Sequence, residues 1–581
     1  MQQHKTEFRD GMRIDWDVPI PMDDGTVLRA DAFRPADDGR YPIVMTHGPY
    51  AKGLAFQDGY PGMWGALTTK HPDVLANSSN QYQNWETVDP EKWAPDGYVC
   101  IRVDSRGAGR SPGYLDILSP QETQDYYECI ESAGTQPWSN GMVGLLGISY
   151  YAMNQWQVAA LQPPHLAAIC PWEGGNDYYR EFSRHGGILN IFTARWYPIQ
   201  VSSVQHGVGE RGARSRVTGE PVAGPDTVPE TQLSALRADS VAELLGHPLD
   251  HDYYRDRTAD LEKITVPVLS AANWAHHLHT RGNFEGYLRV SSEQKWLEVH
   301  GEEHFTEFYT DYGVALQKKF FGHFLKGEDT GWDDQPPVQL NVRNVDGTYR
   351  QRAEQEWPLA RTQWTTLFLD TTDLSLLAAP PSRPGQAAFA TTGDGLTFVT
   401  EPFTESVEIT GPAAAKLFIS STTRDADIFL TLRVLDPDGK DVTFVSGLDP
   451  AGVVGSGWLR ASHRATDPEL SLPHRPWHRH DRKQPLVPGE TVELDVEIWP
   501  TSVVVPAGYR VALTVLGRDF ELPGDGPWPN LYGEEMKGNG IFLHTDPRDR
   551  PAEVFTGTTT VVSDAARQSY LLLPLIGPEN D

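Results

Sequence analysis

The chain has 581 residues, of which 39% are hydrophobic, 22% charged and 10% aromatic. That length exceeds what one hydrophobic core serves, so two or three domains are expected, and the composition excludes extensive disorder. A formal net charge of −30, from 79 acidic against 49 basic side chains, makes a surface that repels phosphate backbones and anionic lipid, which argues against nucleic acid or membrane as partners. The three cysteines, Cys100, Cys129 and Cys170, provide neither a disulfide framework nor a metal-ligand spacing. The N-terminus has no basic-then-apolar leader pattern, and no run of about 18 apolar residues occurs, so a cytoplasmic location is expected.

In chain order, the turn pair Asp24-Gly25 before Thr26–Arg34 predicts a hairpin. The apolar runs Tyr41–Thr46, Tyr98–Asp104, Gly144–Ile148, Leu166–Cys170 and Val266–Ala272 are short and end in turn residues, as buried parallel strands do. Helical patterns at Gln121–Ala133 and Tyr150–Ala160 alternate with them. The alternation predicts a parallel sheet covered by helices on both faces. The long stretch 51–95, with Trp64, Trp85 and Trp93, is expected to wall a pocket. Residues 172–254 break the rhythm with short helical pieces at Tyr178–Phe182 and Leu233–Leu245, the pattern of a cap inserted between core strands. The core then resumes over 255–334.

From about Pro336 the runs Val338–Val342, Thr365–Leu369, Ala415–Ser420, Ile428–Leu435, Thr491–Ile498 and Tyr509–Leu516 are strand-like, separated by turns such as Asp436-Pro437-Asp438-Gly439. An all-β jelly-roll sandwich over 335–581 is therefore expected behind a core of 1–171 and 255–334.

The chemistry concentrates at Gly144-Leu145-Leu146-Gly147-Ile148-Ser149-Tyr150-Tyr151-Ala152, where an apolar strand runs through Gly-x-Ser into a helix. That context places Ser149 on a sharp strand-to-helix turn, with its hydroxyl presented at the carboxyl end of the sheet. The helix start behind it aims backbone N–H groups at developing negative charge. Tyr151 stands where a glycine is usual, so Gly-x-Ser-x-Tyr alone is a weak signal.

Two further motifs strengthen it: Asp104-Ser105-Arg106-Gly107-Ala108-Gly109-Arg110-Ser111 upstream, and Trp138-Ser139-Asn140-Gly141 just before the nucleophile strand. Together with Leu459-Arg460-Ala461-Ser462-His463-Arg464 and Pro506-Ala507-Gly508-Tyr509-Arg510 in the β half, they resemble the X-Pro dipeptidyl-peptidase and cocaine-esterase family of serine hydrolases. The resemblance spans nearly the whole chain. It implies an α/β-hydrolase core, an inserted helical cap and a C-terminal jelly roll. It also implies an oxyanion hole made by the Tyr50 phenol and the Tyr150 backbone N–H, and a catalytic histidine at His304, after the strand Trp296–His300. His300 is the rival base, set aside because it lies within or at the end of that strand.

One family feature is missing. The usual acid follows a strand as Gly-Trp-Tyr-Asp, whereas this chain has Asn273-Trp274-Ala275-His276. Glu173 ends the preceding strand, beside the place an acid must occupy to orient the imidazole, and is the expected third triad member. Glu302 and Glu303 are alternatives, and Asp177 is read as structural. The histidines His276, His277 and His279 are read as loop or pocket residues rather than metal ligands, as are His474, His478 and His480.

The chain is thus expected to be a serine esterase or amidase working through an acyl-enzyme, needing no cofactor or metal. Its expected partner is a small, uncharged or partly aromatic ester or amide, with Trp172, Trp274 and Tyr151 expected at the substrate. Self-association into a homo-oligomer is left open. The alternatives are an α-amino acid ester hydrolase or acylase, disfavoured by Ala152 where such enzymes carry a carboxylate, and an X-Pro dipeptidyl peptidase, whose chains are commonly longer. Of another class is a non-catalytic ligand-binding protein on a hydrolase scaffold.

Overall fold

The structure is a computed structural model describing residues 5–524 and 531–577; Met1–His4 of the N-terminal stretch read above lie outside the described residues. Its first half is built on an eleven-stranded sheet. The central strands run parallel in the spatial order Val99–Asp104, Tyr41–Gly48, Ser139–Ile148, Leu166–Trp172, Val268–Asn273, Lys295–His300 and Val338–Arg343. The stretch Val99–Asp104 is buried throughout, even at Arg102 and Asp104. Such strands are covered on both faces, which is why they read as continuous apolar runs.

Helices supply the cover. Pro120–Gly134 starts at Ser119, whose side chain accepts the Glu122 N–H, the capping arrangement that a Ser-x-x-Glu sequence encodes. Tyr150–Ala159 is buried on every side, and Asp311–Lys326 ends at Gly327 with φ 67°. The predicted hairpin forms between Met12–Pro21 and Val27–Pro35.

Between Trp172 and Val268 the chain forms only short pieces, among them the wide turn Tyr178–Ser183 and the helices Phe192–Trp196, Glu230–Ala235 and Ser240–Gly246. The expected single piece Leu233–Leu245 is two helices. Leu115 N–H bonds to Leu236 O and Leu115 O accepts the Ala238 N–H, and these bonds draw the chain out of helical register. Asp239 then caps the second helix. The stretch 51–95 also carries short helices, at Phe56–Gly59, Pro61–Lys70 and Pro90–Trp93.

The first sheet continues past residue 335. Val338–Arg343 runs parallel to Lys295–His300 and pairs antiparallel with Tyr349–Glu354, so both strands complete the first sheet. Alternating apolar residues carry no signal of which sheet will receive them. Beyond them lies a second sheet of eleven strands. Val407–Ser421 pairs with Val492–Val505 on one side and with Tyr570–Ile576 on the other, which closes the sheet on itself around Leu417, Ile428, Leu494 and Leu513.

The halves are tied by buried charge. Asp549 pairs with Arg184 from the inserted segment and with Arg460 from the β half. Gly447 of the β half exchanges backbone bonds with the loops of the first sheet, its O accepting from His304 N and its N donating to Ala275 O.

Candidate active site

Ser149 adopts φ 57° and ψ −114° between the strand Ser139–Ile148 and the helix it starts. A non-glycine residue in that region stores strain, and the surroundings must hold it there. They do so through the Ser149 N–H, which bonds to Trp172 O and Glu173 O at 3.1 and 3.2 Å. Close packing does the rest. A Cβ on Gly147 would lie 2.5 Å from the Tyr151 Cβ, and one on Gly174 would lie 2.6 Å from the Ala152 Cβ, so the turn needs small residues at both places.

Glu173 is buried at the end of the neighbouring strand, its N–H held by Ala271 O at 2.7 Å. Its carboxylate lies 3.0 Å from His304 Nδ1 through one oxygen and 3.0 Å from His300 Nε2 through the other. Burial alone would raise its pKa, but the His304 charge and the bonds from both rings outweigh burial and bring it down to about 2. Glu303 pairs with Lys70 instead, and Glu302 is partly exposed. Asp177 accepts from Tyr179 and Arg180 N–H at the start of a turn and pairs with Arg180.

His304 has a second carboxylate on its other side: its Nε2 lies 3.0 Å from Glu86 Oε1. Burial works against its charge, yet Glu173 and Glu86 raise its pKa to about 9. Burial raises Glu86 to about 7, with the His304 bond pulling the other way. His300, the rival base, is held behind Glu173, its Nδ1 2.7 Å from Glu298.

Ser149 and His304 line one cavity, but among the described residues no hydrogen bond joins them. Ser149 Oγ lies instead 3.0 Å from His279 Nε2. The far nitrogen of that ring, Nδ1, accepts the Gly175 N–H at 3.0 Å. His276 Nδ1 likewise accepts the Leu278 N–H. The rings of His276, His279 and His304 gather closely enough for one nitrogen from each to lie within 4.8 Å of the others. A metal needs a lone pair aimed at it, whereas both backbone bonds occupy the Nδ1 lone pair and leave Nε2 carrying the proton. His304 is bonded to carboxylates on both sides. The cluster as arranged is a set of donors, and it does not fit a cation.

Tyr50 is buried beside Ser149 and accepts the Trp196 indole N–H at 3.1 Å. Burial and the Glu86 charge hold its phenol well above the usual tyrosine range, so it stays a donor. The Tyr150 N–H is the first of its helix, where no carbonyl one turn earlier is available to it. The Tyr150 ring is committed elsewhere, to Glu122 and Leu118 N.

The three aromatics expected at the substrate do not line the cavity. Trp172 is buried against His300 and Phe308. Trp274 bonds to Asn341 O and packs on Phe284 and Trp357. Tyr151 braces Tyr50 edge-on. Trp172 ends a doubly covered strand and Trp274 directly follows one, which sends both into core layers, whereas Tyr151 lies in the first turn of the helix Tyr150–Ala159. The wall is made by Trp85 of the expected pocket loop, Phe192 and Trp196 of the inserted segment, and Leu448, Tyr532 and Phe542 of the β half. Glu86 and these β-half residues carry no motif that a reading of the sequence could have found. His279 stood in a visible histidine cluster, but its pairing with Ser149 did not.

A strained serine at the carboxyl end of a parallel sheet, sharing a cavity with a histidine held by a carboxylate, is the arrangement found in serine hydrolases with an α/β-hydrolase-like core. Residues 24–306 match the X-Pro dipeptidyl-peptidase (S15 family), and residues 330–572 match the X-Pro dipeptidyl-peptidase C-terminal non-catalytic domain; the chain belongs to this family and hydrolyses ester or amide bonds. It is 24% identical to the cocaine esterase of Rhodococcus sp. (strain MB1 Bresler), over 96% of this chain and 98% of that protein. A putative Xaa-Pro dipeptidyl-peptidase of Streptomyces avermitilis is also 24% identical, over 74% of this chain and 68% of that one. Among solved structures, a CocE/NonD family hydrolase from Staphylococcus aureus superposes with a TM-score of 0.84 at 31% identity, covering 97% of this chain and 94% of the other. No helix among the described residues is long and apolar enough to cross a membrane.

Proposed function

We propose that the protein is an esterase for a small, uncharged acyl substrate carrying an aromatic group, with Ser149 as nucleophile, His304 as general base and Glu173 as the orienting acid. The observation that carries this reading is the 3.0 Å bond from Glu173 to His304 Nδ1, on the side of the ring away from Nε2. The similarity to a protein named cocaine esterase over nearly both whole chains supports an ester over a peptide. The aromatic wall supports the acyl preference. Residues 172–254 act as a cap over the core, the closed C-terminal sheet is a jelly roll, and the protein works in the cytoplasm as a soluble enzyme.

Catalysis begins when His304, in its neutral form, exchanges Glu86 for Ser149 at Nε2. His304 takes the Oγ proton as Oγ attacks the acyl carbon, and Glu173 stabilises the resulting imidazolium. The oxyanion is received by the Tyr50 hydroxyl and the Tyr150 N–H. His304 gives its proton to the leaving alcohol, and water then hydrolyses the acyl-enzyme with the roles repeated.

The 3.0 Å contact of Ser149 with His279 suggests a second base. The Gly175 N–H argues against it, because an Nε2 that carries a proton cannot accept another. The test is Ser149→Ala against p-nitrophenyl phenylacetate, with fluorophosphonate labelling of both proteins. Wild-type turnover and labelling, both lost in the variant, are expected. Labelling that persists in the variant, or a folded wild type that neither labels nor turns over, would remove the assignment and favour a binding protein.

A further inference from the structure

We propose that His279 is a further catalytic residue: a neutral imidazole whose Nε2–H donates to Ser149 Oγ and stabilises negative charge on that oxygen. The proposal rests on the reading of Ser149 as nucleophile and adds a role outside the triad.

Two bonds settle the direction. A backbone N–H can only donate, so the 3.0 Å contact of Gly175 N with His279 Nδ1 fixes that nitrogen as an acceptor. The one proton of a neutral imidazole then sits on Nε2, 3.0 Å from Ser149 Oγ. The ring is fully buried, and burial together with the nearby His304 holds its pKa well below the usual histidine range, so a second proton is not taken up at neutral pH. The ring is also fixed in place. His279 precedes the helix Thr280–Arg289, and its ring stacks at 5.6 Å on His304 and at 4.5 Å on His276. The Gly175 that sets the tautomer lies two residues past Glu173, so one strand end supplies both the acid for His304 and the lock for His279.

This donor acts where Oγ is most anionic. In acylation it supports Oγ as its proton passes to His304. In deacylation the tetrahedral adduct collapses, the C–Oγ bond breaks with its electron pair going to Oγ, and Oγ recovers a proton from His304. The His279 proton stays on Nε2 throughout, so the residue contributes a hydrogen bond and no proton transfer. A donor fixed before the reaction needs no reorganisation when charge appears.

The test compares His279→Phe, which keeps a ring without the donor, with His279→Gln, whose amide N–H falls near the Nε2 position. Loss of one such donor should lower kcat for p-nitrophenyl acetate roughly 100-fold in the Phe variant. KM should not rise, the acidic limb of the pH profile should stay in place, and the Gln variant should recover most of the loss. Independently, ¹⁵N-histidine labelling of wild type should show an Nε2–H tautomer for the signal absent from His279→Gln. Wild-type kcat in the Phe variant would overturn the proposal. So would an Nδ1–H tautomer, which can be read even where the Phe variant does not fold. Loss of activity to the Ser149→Ala level in both variants, with loss of the acidic limb, would make His279 the base and overturn it too. Ser149→Ala and fluorophosphonate labelling test the underlying reading separately.

Discussion

The Glu173 carboxylate meets His304 Nδ1 at 3.0 Å across 131 residues of chain, while the position after the next strand, where the family usually carries its acid, is occupied by Asn273-Trp274-Ala275. The two strand ends are neighbours, with Trp172 registered against Ala271. An acid can therefore stand on either one and address the same ring. Asn273 takes a supporting part, its side-chain N–H donating to Glu302 O at 3.0 Å.

Replacing Glu173 by Gln keeps its volume and removes the charge facing His304. We expect kcat to fall by roughly 10³-fold or more, as for other orienting acids, with the fold retained in circular dichroism. Glu302→Gln and Glu303→Gln should change kcat little, since neither carboxylate bonds to His304 and Glu303 pairs with Lys70. The opposite ranking would refute the assignment.

Tyr50→Phe should lower kcat roughly 100- to 1,000-fold through the loss of one oxyanion donor. It also leaves the Trp196 indole N–H without its acceptor, at a cost of about 1 kcal/mol in stability. Steady-state kinetics and thermal melts read the two effects separately. Near-normal kcat would mean that backbone groups alone make the hole.

The pH profile reports on Glu86. His304 must be neutral to act, and its pKa is raised to about 9, so kcat/KM should climb with pH until that value is passed. Glu173, Glu86, His276 and His279 face the ring. Glu86→Gln removes one of the two anions that favour the proton, so the acidic limb should move to lower pH by roughly 1 unit or more. A limb that stays in place, or moves to higher pH, would show that Glu86 does not hold this proton.

Phe542 reaches the cavity from the β half. Its replacement by Ala should remove about 0.5–1.5 kcal/mol of aromatic contact. KM for a phenylacetyl ester should then rise roughly 2- to 12-fold relative to an acetyl ester. Trp172→Phe, in the core, should alter stability but not this ratio. If Trp172→Phe alone shifts the ratio, the wall has been misplaced.

What the sequence by itself determined was local. The apolar run into Gly147-Ile148-Ser149 and the helix behind it specify the strained turn, because backbone geometry there depends on neighbouring side-chain size. The placement of Glu173 at a strand end was legible for the same reason: strand periodicity tells where each run stops. Only the tertiary structure decided the rest. Glu86, Phe192, Leu448 and Phe542 come from segments far apart in the chain, and no periodic pattern encodes which of them will share a cavity. Trp172 and Trp274 went to core layers because both faces of their strands are covered. The direction of the His279 bond depends on where the Gly175 N–H points, and a hydrogen bond is set by that three-dimensional placement rather than by residue type.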